Sequence, residues 1–120
     1  MFDHIGLKVK DLAASVRFYA AALAPLGHVP GPSDKSYAGM GPKGAPALWL
    51  YATTGASGSG THLAFRAPDR AAVDRFYSAG LKAGGRDNGT PGLRIDYSPD
   101  YYAAFLIDPD GNNVEAVFMK

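Results

Sequence analysis

Apolar and polar residues alternate in two short stretches that begin 58 positions apart in this 120-residue chain. The stretches are HIGLKV, residues 4–9, and HLAFRA, residues 62–67. A period of two places every second side chain on one face, which is typical of a strand with one face buried. An aspartate follows each stretch, Asp11 or Asp69, and is placed to accept from the first turn of a helix. The pattern predicts a strand followed by a helix, twice.

Each predicted helix carries one apolar stripe, and such a stripe packs on a sheet. The stripes consist of Leu12, Val16, Tyr19, Ala20 and Leu23 in the first helix, and of Val73, Phe76, Tyr77 and Leu81 in the second. Short strands follow each helix. In the first half they are expected at 27–29, 36–40 and 46–53, with breaks at PGPSD and GPKGA. In the second half they are expected at 84–87, 101–107 and 112–119, with DNGTPG and DPDG between them. Each half reads β-α-β-β-β, which predicts an α+β fold.

The second half of the chain repeats the first. Aligned without gaps at an offset of 58, the 24 positions from 4 to 27 contain ten identities, including His4 with His62 and an Arg-Phe-Tyr run with its copy. We infer a tandem duplication within one domain, residues 1–120. Module one spans 1–54, a flexible Gly/Ser-rich linker spans 55–60, and module two spans 61–120.

Composition excludes several classes of function. A net charge of +1 provides no field that would attract nucleic acid or an acidic membrane. The chain has no cysteine, which removes disulfides, thiolate metal sites and cysteine nucleophiles. Its start lacks the pattern of a secretory signal, and no apolar run approaches the roughly 18 residues of a membrane span. We therefore expect a soluble cytoplasmic protein.

Glutamate is used only once. Ten of the eleven acidic residues are aspartates, and the single glutamate is Glu115 in the apolar stretch NVEAVF. Alternation places Val114, Ala116 and Phe118 on one face of that predicted strand, and Glu115 with Val117 on the other. A carboxylate in this position is either a chance feature of a surface strand or a functional group.

Three segments resemble the vicinal oxygen chelate superfamily, which includes glyoxalase I, extradiol dioxygenases and bleomycin-binding proteins. They are FDHIGLKVKDLAASVRFY, THLAFRAPDRAAVDRFY and FLIDPDGNNVEAV. The resemblance covers essentially the whole chain. It implies paired βαβββ modules whose curled sheets form a cleft that usually holds a divalent metal. It also implies a homodimer in which two modules, from one chain or from two, complete each cleft.

His4, His62 and Glu115 are the candidate metal ligands and Glu115 is also a candidate catalytic residue. A pseudo-twofold between the modules would bring the two equivalent histidines to one point, and the resemblance places a carboxylate at Glu115. Two imidazoles and one carboxylate leave positions open on an octahedral ion, as in non-haem Fe(II) oxygenases, and the set also suits Mn, Co, Ni or Zn. Taken singly, either histidine could instead be an ordinary hydrogen-bonding residue of a strand.

One expected ligand is missing. Glyoxalase I-like members use a further Glu or Gln from the last strand of the first module. Aligning the turns GPKG and DPDG puts Leu48 opposite Glu115, whereas the strand pattern puts Trp49 there. Neither side chain binds a metal, so the set resembles more closely the extradiol dioxygenases, where a catecholate chelates Fe(II).

Aromatic residues are candidates for shaping the pocket. Tyr37, Trp49 and Tyr97 are candidate substrate-binding residues, and the alternative interpretation is that they serve ordinary packing. Tyr101 and Tyr102 are candidate catalytic residues, but alternation allows only one of the two to face the cleft. His28 has Arg86 as its counterpart in the repeat, so we expect it on the surface or lining the cleft.

Three functions remain open from the sequence. The first is a metal-dependent enzyme acting on a small substrate with neighbouring oxygens, dioxygenase-like by its triad and with Fe(II) favoured. The second is a glyoxalase-like lyase or isomerase, or a thiol transferase. The third is a metal-free protein that binds a drug or metabolite in the dimer groove.

Overall fold

Each half of the chain forms the βαβββ unit that the repeat predicts. The computed structural model describes residues 1–55 and 60–120. Module one consists of β1 (Ile5–Val9), α1 (Leu12–Leu23), a short 3-10 helix (Ala24–Leu26), β2 (Val29–Ser33), β3 (Tyr37–Gly41) and β4 (Leu48–Ala52). Module two consists of β5 (His62–Arg66), α2 (Arg70–Lys82), β6 (Arg86–Leu93), β7 (Tyr101–Ile107) and β8 (Asn113–Met119). The predicted α+β class and the two tandem modules are confirmed.

The strands form two separate four-stranded sheets with the same topology. The orders are β1-β4-β3-β2 and β5-β8-β7-β6. The first strand of each module pairs in parallel with the last, and the remaining pairs are antiparallel. The duplication seen in the sequence therefore extends to the sheets.

Aspartates begin both helices, as predicted. The Asp11 side chain accepts from the amide of Ala14 at 3.1 Å, and Asp69 accepts from the amide of Ala72 at 2.7 Å. These bonds satisfy backbone donors that have no partner within the helix. The N-terminal boundaries of both helices are thus set by local chemistry.

The apolar stripes are confirmed in part. In α1 the fully buried side chains include Ser15 and Phe18, which the predicted stripe omitted, whereas Leu12 and Val16 lie at its partly buried margin. In α2 the prediction for Leu81 was wrong, because that side chain is 38% exposed. Each helix packs on its sheet and also against the other helix, so the buried face is broader than one stripe.

One hydrophobic core joins the two modules. It combines the inner faces of both sheets with the facing sides of α1 and α2. The outer face of each sheet carries the alternate residues, among them Lys8, Trp49, Arg66 and Glu115, and neither α1 nor α2 covers it. The helices thus leave one face of each sheet available for a site.

The edge strands are longer than predicted. DNGTPG lies within β6, and PGPS lies within β2, although both were expected to break strands. Both strands occupy a sheet edge, where proline and glycine are tolerated because one side of the strand needs no partner. The strand expected at 27–29 begins at Val29, because Gly27 ends the 3-10 helix at a φ of 94°.

The predicted linker at 55–60 falls mostly on residues 56–59, which lie outside the described residues. In the part of the chain that the structure describes, no helix is long and apolar enough to cross a membrane.

Replacing Gly85 by alanine is expected to destabilise the fold by about 1–3 kcal/mol. A Cβ at this position would lie 2.5 Å from the Phe18 ring and 2.9 Å from the Gly80 carbonyl oxygen, at the contact between the modules. Gly92→Ala is the matched control, since its Cβ would meet only the end of the Arg94 side chain at 3.3 Å. Urea unfolding of the two variants checks this. Equal losses of unfolding free energy in the two variants would show that the surrounding residues move to accommodate a Cβ at Gly85 without strain.

Candidate metal centre

Glu115 lies on the outer face of the second sheet yet is only 2% exposed. Its neighbours Val114 and Ala116 enter the core, so the alternation predicted for β8 is confirmed. One carboxylate oxygen, Oε1, lies 3.0 Å from Nε2 of His62. The other, Oε2, accepts a hydrogen bond from the hydroxyl of Tyr101. A buried carboxylate is thus held between an imidazole and a phenol.

The turn before β8 places His62 and Glu115 side by side. The Asn112 side-chain oxygen accepts from the amide of Thr61 at 3.3 Å, and the Asn113 amide donates to the Thr61 carbonyl at 2.8 Å. Thr61 directly precedes His62, so these bonds fix the start of β5 against β8. The turn DPDGN therefore also fixes the position of His62 relative to β8.

Asp108 ties the same turn to module one. Its buried carboxylate accepts from the Tyr19 hydroxyl at 2.5 Å and from the Asn112 side-chain amide at 2.9 Å. It also accepts from the backbone amides of Asp110 and Asn112. Burial, and next the negative charge of Asp108, raise the pKa of the Tyr19 phenol, so Tyr19 remains a donor. Helix α1 thereby positions the turn that carries Glu115.

Burial raises the pKa of Tyr101 to about 12, with further contributions from the hydrogen bond to Glu115 and its charge. We expect this phenol to titrate near that value, and to return toward the ordinary 10.0 in Glu115→Gln. Because the folded pKa is raised, the contribution of the Tyr101 phenol to stability is complete below pH 10 and falls as the pH rises toward 12. NMR titration of ¹³C-labelled tyrosine, assigned with Tyr101→Phe, measures it. A Tyr101 resonance unmoved by Glu115→Gln would contradict the pairing.

The His62–Glu115 pair fits the donor set of a divalent ion. Two protein ligands at a right angle on an octahedral ion, each about 2.1 Å from it, are separated by about 3.0 Å. The observed Nε2–Oε1 distance is 3.0 Å. The His62 side chain is 48% exposed, so an ion can reach it, and the Tyr101 bond to the other oxygen supports a ligating carboxylate in the usual way.

His4 does not join this pair. It lies in module one, where its Nδ1 is 2.7 Å from the exposed carboxylate of Asp3. Across residues 1–55 and 60–120, no three His, Asp or Glu side chains gather closely enough to hold a metal ion. The triad of His4, His62 and Glu115 therefore stays a prediction, and a single chain supplies two of its members together.

Trp49 occupies the position in module one that corresponds to Glu115. The register pairs Gly6 with Trp49 and Ala64 with Glu115, and Gly6 and Ala64 match at the offset of 58. The strand-based alignment is thus correct and the turn-based alternative, Leu48, is wrong. The Trp49 ring lies over Gly39, where an added Cβ would be 2.7 Å from it, so module one has an apolar ring at the position that Glu115 occupies in module two.

The other predicted site residues are divided between the two sheets. Tyr37 contacts Trp49 on the first sheet, with ring centroids 5.9 Å apart. Tyr97 packs edge-on against Tyr101 at 5.0 Å, beside the His62–Glu115 pair. The structure does not bring Tyr102 to that pair, because its hydroxyl donates to Asp74 of α2 on the opposite face.

His28 lines an apolar cavity of about 220 Å³ that also borders His4 and β5. Its Nδ1 is buried and has no hydrogen-bond partner among the described residues. Burial lowers the pKa of this imidazole, so it stays neutral more readily than an exposed histidine. His28 is expected on the surface or lining the cleft, and it lines this cavity, which does not include the His62–Glu115 pair.

Sequence reasoning missed Phe105 and Arg94. The ring of Phe105 stacks on His62 with centroids 6.4 Å apart, and the Arg94 guanidinium carbon lies 5.3 Å from the centroid of the same ring. Neither residue belongs to a motif, and their approach depends on the register of the β6–β7 hairpin. Only the alternation of YYAAFLI could have placed Phe105 on the same face as Tyr101.

The family model of the Glyoxalase/Bleomycin resistance protein/Dioxygenase superfamily matches residues 1–116. A glyoxalase/bleomycin resistance protein from Albidiferax ferrireducens T118 is 33% identical, with a TM-score of 0.84, and the match covers 98% of this chain and 97% of that one. No curated protein matches the chain.

Two more distant structures share the fold. A glyoxalase/bleomycin resistance protein/dioxygenase family enzyme from Burkholderia phytofirmans PsJN is 18% identical, covers 98% of both chains and has a TM-score of 0.76. A glyoxalase-related enzyme from Fulvimarina pelagi is 20% identical, with 95% and 84% covered and a TM-score of 0.73. This chain belongs to the glyoxalase/bleomycin resistance protein/dioxygenase superfamily.

Proposed function

We propose that the chain is a divalent-metal-dependent enzyme that acts on a small substrate with neighbouring oxygens. The observation that carries the proposal is the buried Glu115 carboxylate beside Nε2 of His62. His4 of a second copy supplies the third ligand, because His4 of the same chain does not join the pair. The working form is therefore a homodimer, which we place in the cytoplasm.

Each neighbouring side chain has a definite role in this proposal. His62 and Glu115 would hold the ion, which when bound would supply a positive centre for two adjacent substrate oxygens and, as Fe(II), electrons for O₂ chemistry. The Tyr101 hydroxyl donates to the other oxygen of Glu115 and so orients this carboxylate. Phe105 offers a flat apolar wall to the substrate.

A dioxygenase-like reaction fits the ligand set better than a glyoxalase-like one. The latter needs a carboxylate from both modules to move a proton between adjacent carbons, and the position equivalent to Glu115 is Trp49. Two imidazoles and one carboxylate would be the protein ligand set that is typical of non-haem Fe(II) oxygenases. Fe(II) is the favoured ion, with Mn, Co, Ni and Zn as alternatives.

A metal-free binding protein is the second candidate. It is favoured by the fact that both oxygens of Glu115 already have partners within the chain, from His62 and Tyr101. Such a protein would keep its ligand affinity in the presence of a chelator.

Oxygen uptake tests the enzymatic proposal. Protein freed of metal with a chelator is loaded with Fe(II) without air, mixed with catechol and then exposed to O₂. We expect uptake of about one O₂ per catechol consumed, with formation of a ring-opened product. Uptake should disappear in His62→Ala and persist in His28→Ala. Binding of catechol without uptake, for every metal tried, would favour the metal-free protein.

A further inference from the structure

Arg94 lies directly across the β6–β7 hairpin from Tyr101. Leu93 pairs with Tyr102, and the Arg94 amide donates to the Tyr101 carbonyl at 2.7 Å. The two side chains therefore emerge on the same outer face of the second sheet. Arg94 belongs to the surface that carries Glu115, not to the helix side.

The Arg94 side chain runs back along β6 toward the level of Glu115. Its two terminal nitrogens donate to the carbonyls of Gly92 at 2.8 Å and Thr90 at 2.7 Å. The path is open because Gly92 and Gly89 have no side chains: a Cβ on either would lie within 3.3 Å of the guanidinium. The backbone thus fixes the direction of the guanidinium.

Phe105 is the common neighbour of Arg94 and His62. It pairs with Glu115 across β7 and β8, and both the guanidinium and the imidazole lie close to its ring. The two groups therefore border the same ring, His62 from the β5 side of the sheet and Arg94 from the β6 side. A substrate oriented by His62 and Glu115 would extend over Phe105 toward Arg94.

The charge of Arg94 is not neutralised by an ion pair in the described part of the chain. The acid–base contacts found there involve His4 and His62, and the two hydrogen bonds of Arg94 go to uncharged carbonyls. A guanidinium has five N–H donors, so three remain after these two bonds. A planar carboxylate is the group that such a fork binds best.

We propose that Arg94 binds a carboxylate of the substrate, so that the site accepts small carboxylated molecules whose apolar or aromatic part lies against Phe105. This inference rests on the proposed function, since it names the substrate class of the same site. The alternative is that Arg94 only stabilises the β6–β7 hairpin, through its hydrogen bonds to the carbonyls of Gly92 and Thr90.

A pair of ligands that differ only in charge tests the proposal. Benzoate and its neutral analogue benzamide are titrated into ¹⁵N-labelled protein, as purified and again with EDTA present. We expect benzoate to bind about tenfold more tightly than benzamide, with and without EDTA. The amides of Phe105 and Tyr101 should shift in each case, because the ligand lies over these residues.

Three variants test whether Arg94 is the cause of the preference for benzoate. Arg94→Gln should remove the preference for benzoate, and Arg94→Lys, which keeps the charge but loses the fork, should retain part of it. Arg66→Gln is the matched control, since Arg66 is exposed on the same face of the sheet, and it should keep the full preference.

Two outcomes would overturn the inference. Equal binding of benzoate and benzamide to the native protein would show that Arg94 only staples the hairpin. A preference that EDTA abolishes would assign carboxylate binding to a metal and not to Arg94. The preference for benzoate could instead survive EDTA in a protein that takes up no metal. That result would support carboxylate binding by Arg94 and reject only the metal-dependent activity.

Discussion

Asp108→Ala is expected to lower the free energy of unfolding by about 3–5 kcal/mol. The substitution removes the acceptor of the buried Tyr19 hydroxyl, of the Asn112 side-chain amide and of two backbone amides. Each of these buried donors lost its bond to water on folding and would now also lack the carboxylate that replaced it, which costs about 1–3 kcal/mol. Urea unfolding, with the slope compared between variants, measures the loss.

Two variants make this prediction specific. Asp108→Asn keeps one oxygen acceptor and should lose less, about 1–2 kcal/mol. Asp34→Ala removes a similar turn carboxylate, which accepts from the Ser36 and Tyr37 amides at an exposed position, and its effect should be small by comparison. Equal losses for Asp108→Ala and Asp34→Ala would mean that the Tyr19–Asp108 contact does not join the modules.

Glu115→Gln is expected to weaken the binding of a divalent ion by at least about 100-fold. The amide keeps the shape of the side chain but removes the negative charge that binds the ion. The free energy of unfolding should stay the same or rise, because a buried carboxylate is costly to keep charged. Loss of metal without loss of stability is the signature of a functional residue.

Asp74→Asn is the matched control for Glu115→Gln. Asp74 also accepts from a tyrosine hydroxyl, that of Tyr102 at 2.6 Å, but on the helix side of the sheet. Titration with Co(II), followed by its visible absorbance, should give native affinity for Asp74→Asn and none measurable for Glu115→Gln. Native affinity in Glu115→Gln would remove Glu115 from the metal centre.

Local patterns in the sequence predicted most of the fold. Two kinds of signal gave correct predictions. The N-caps Asp11 and Asp69 and the alternation around Glu115 depend only on nearby residues, and the repeat at an offset of 58 is visible directly in the sequence. DNGTPG was misread as a break because its composition is that of a turn. Its place at a sheet edge, which makes it tolerable as a strand, is a property of the whole sheet.

The candidate site was predicted less completely. The repeat and the single glutamate indicated His62 and Glu115, and the structure brings these two together. The contacts of Arg94 and Phe105 depend on hairpin register and on the space above Gly89 and Gly92, which no local pattern encodes. The third ligand could not be placed from sequence, because a repeat does not say which chain supplies the partner module.

Metal content after mixing two defective variants tests whether His4 of one copy completes the metal site of another. His4→Ala and Glu115→Gln are each prepared, unfolded together in equal amounts, refolded and analysed for metal beside the native protein. If His4 of one copy completes the site of another, each variant alone should hold no ion. The mixture should recover about one quarter of the native content, since half of the random dimers contain one intact site of two. A mixture as empty as its components, beside a metal-loaded native protein, would contradict a site shared between copies, and a native protein that takes up no divalent ion would contradict the metal centre itself.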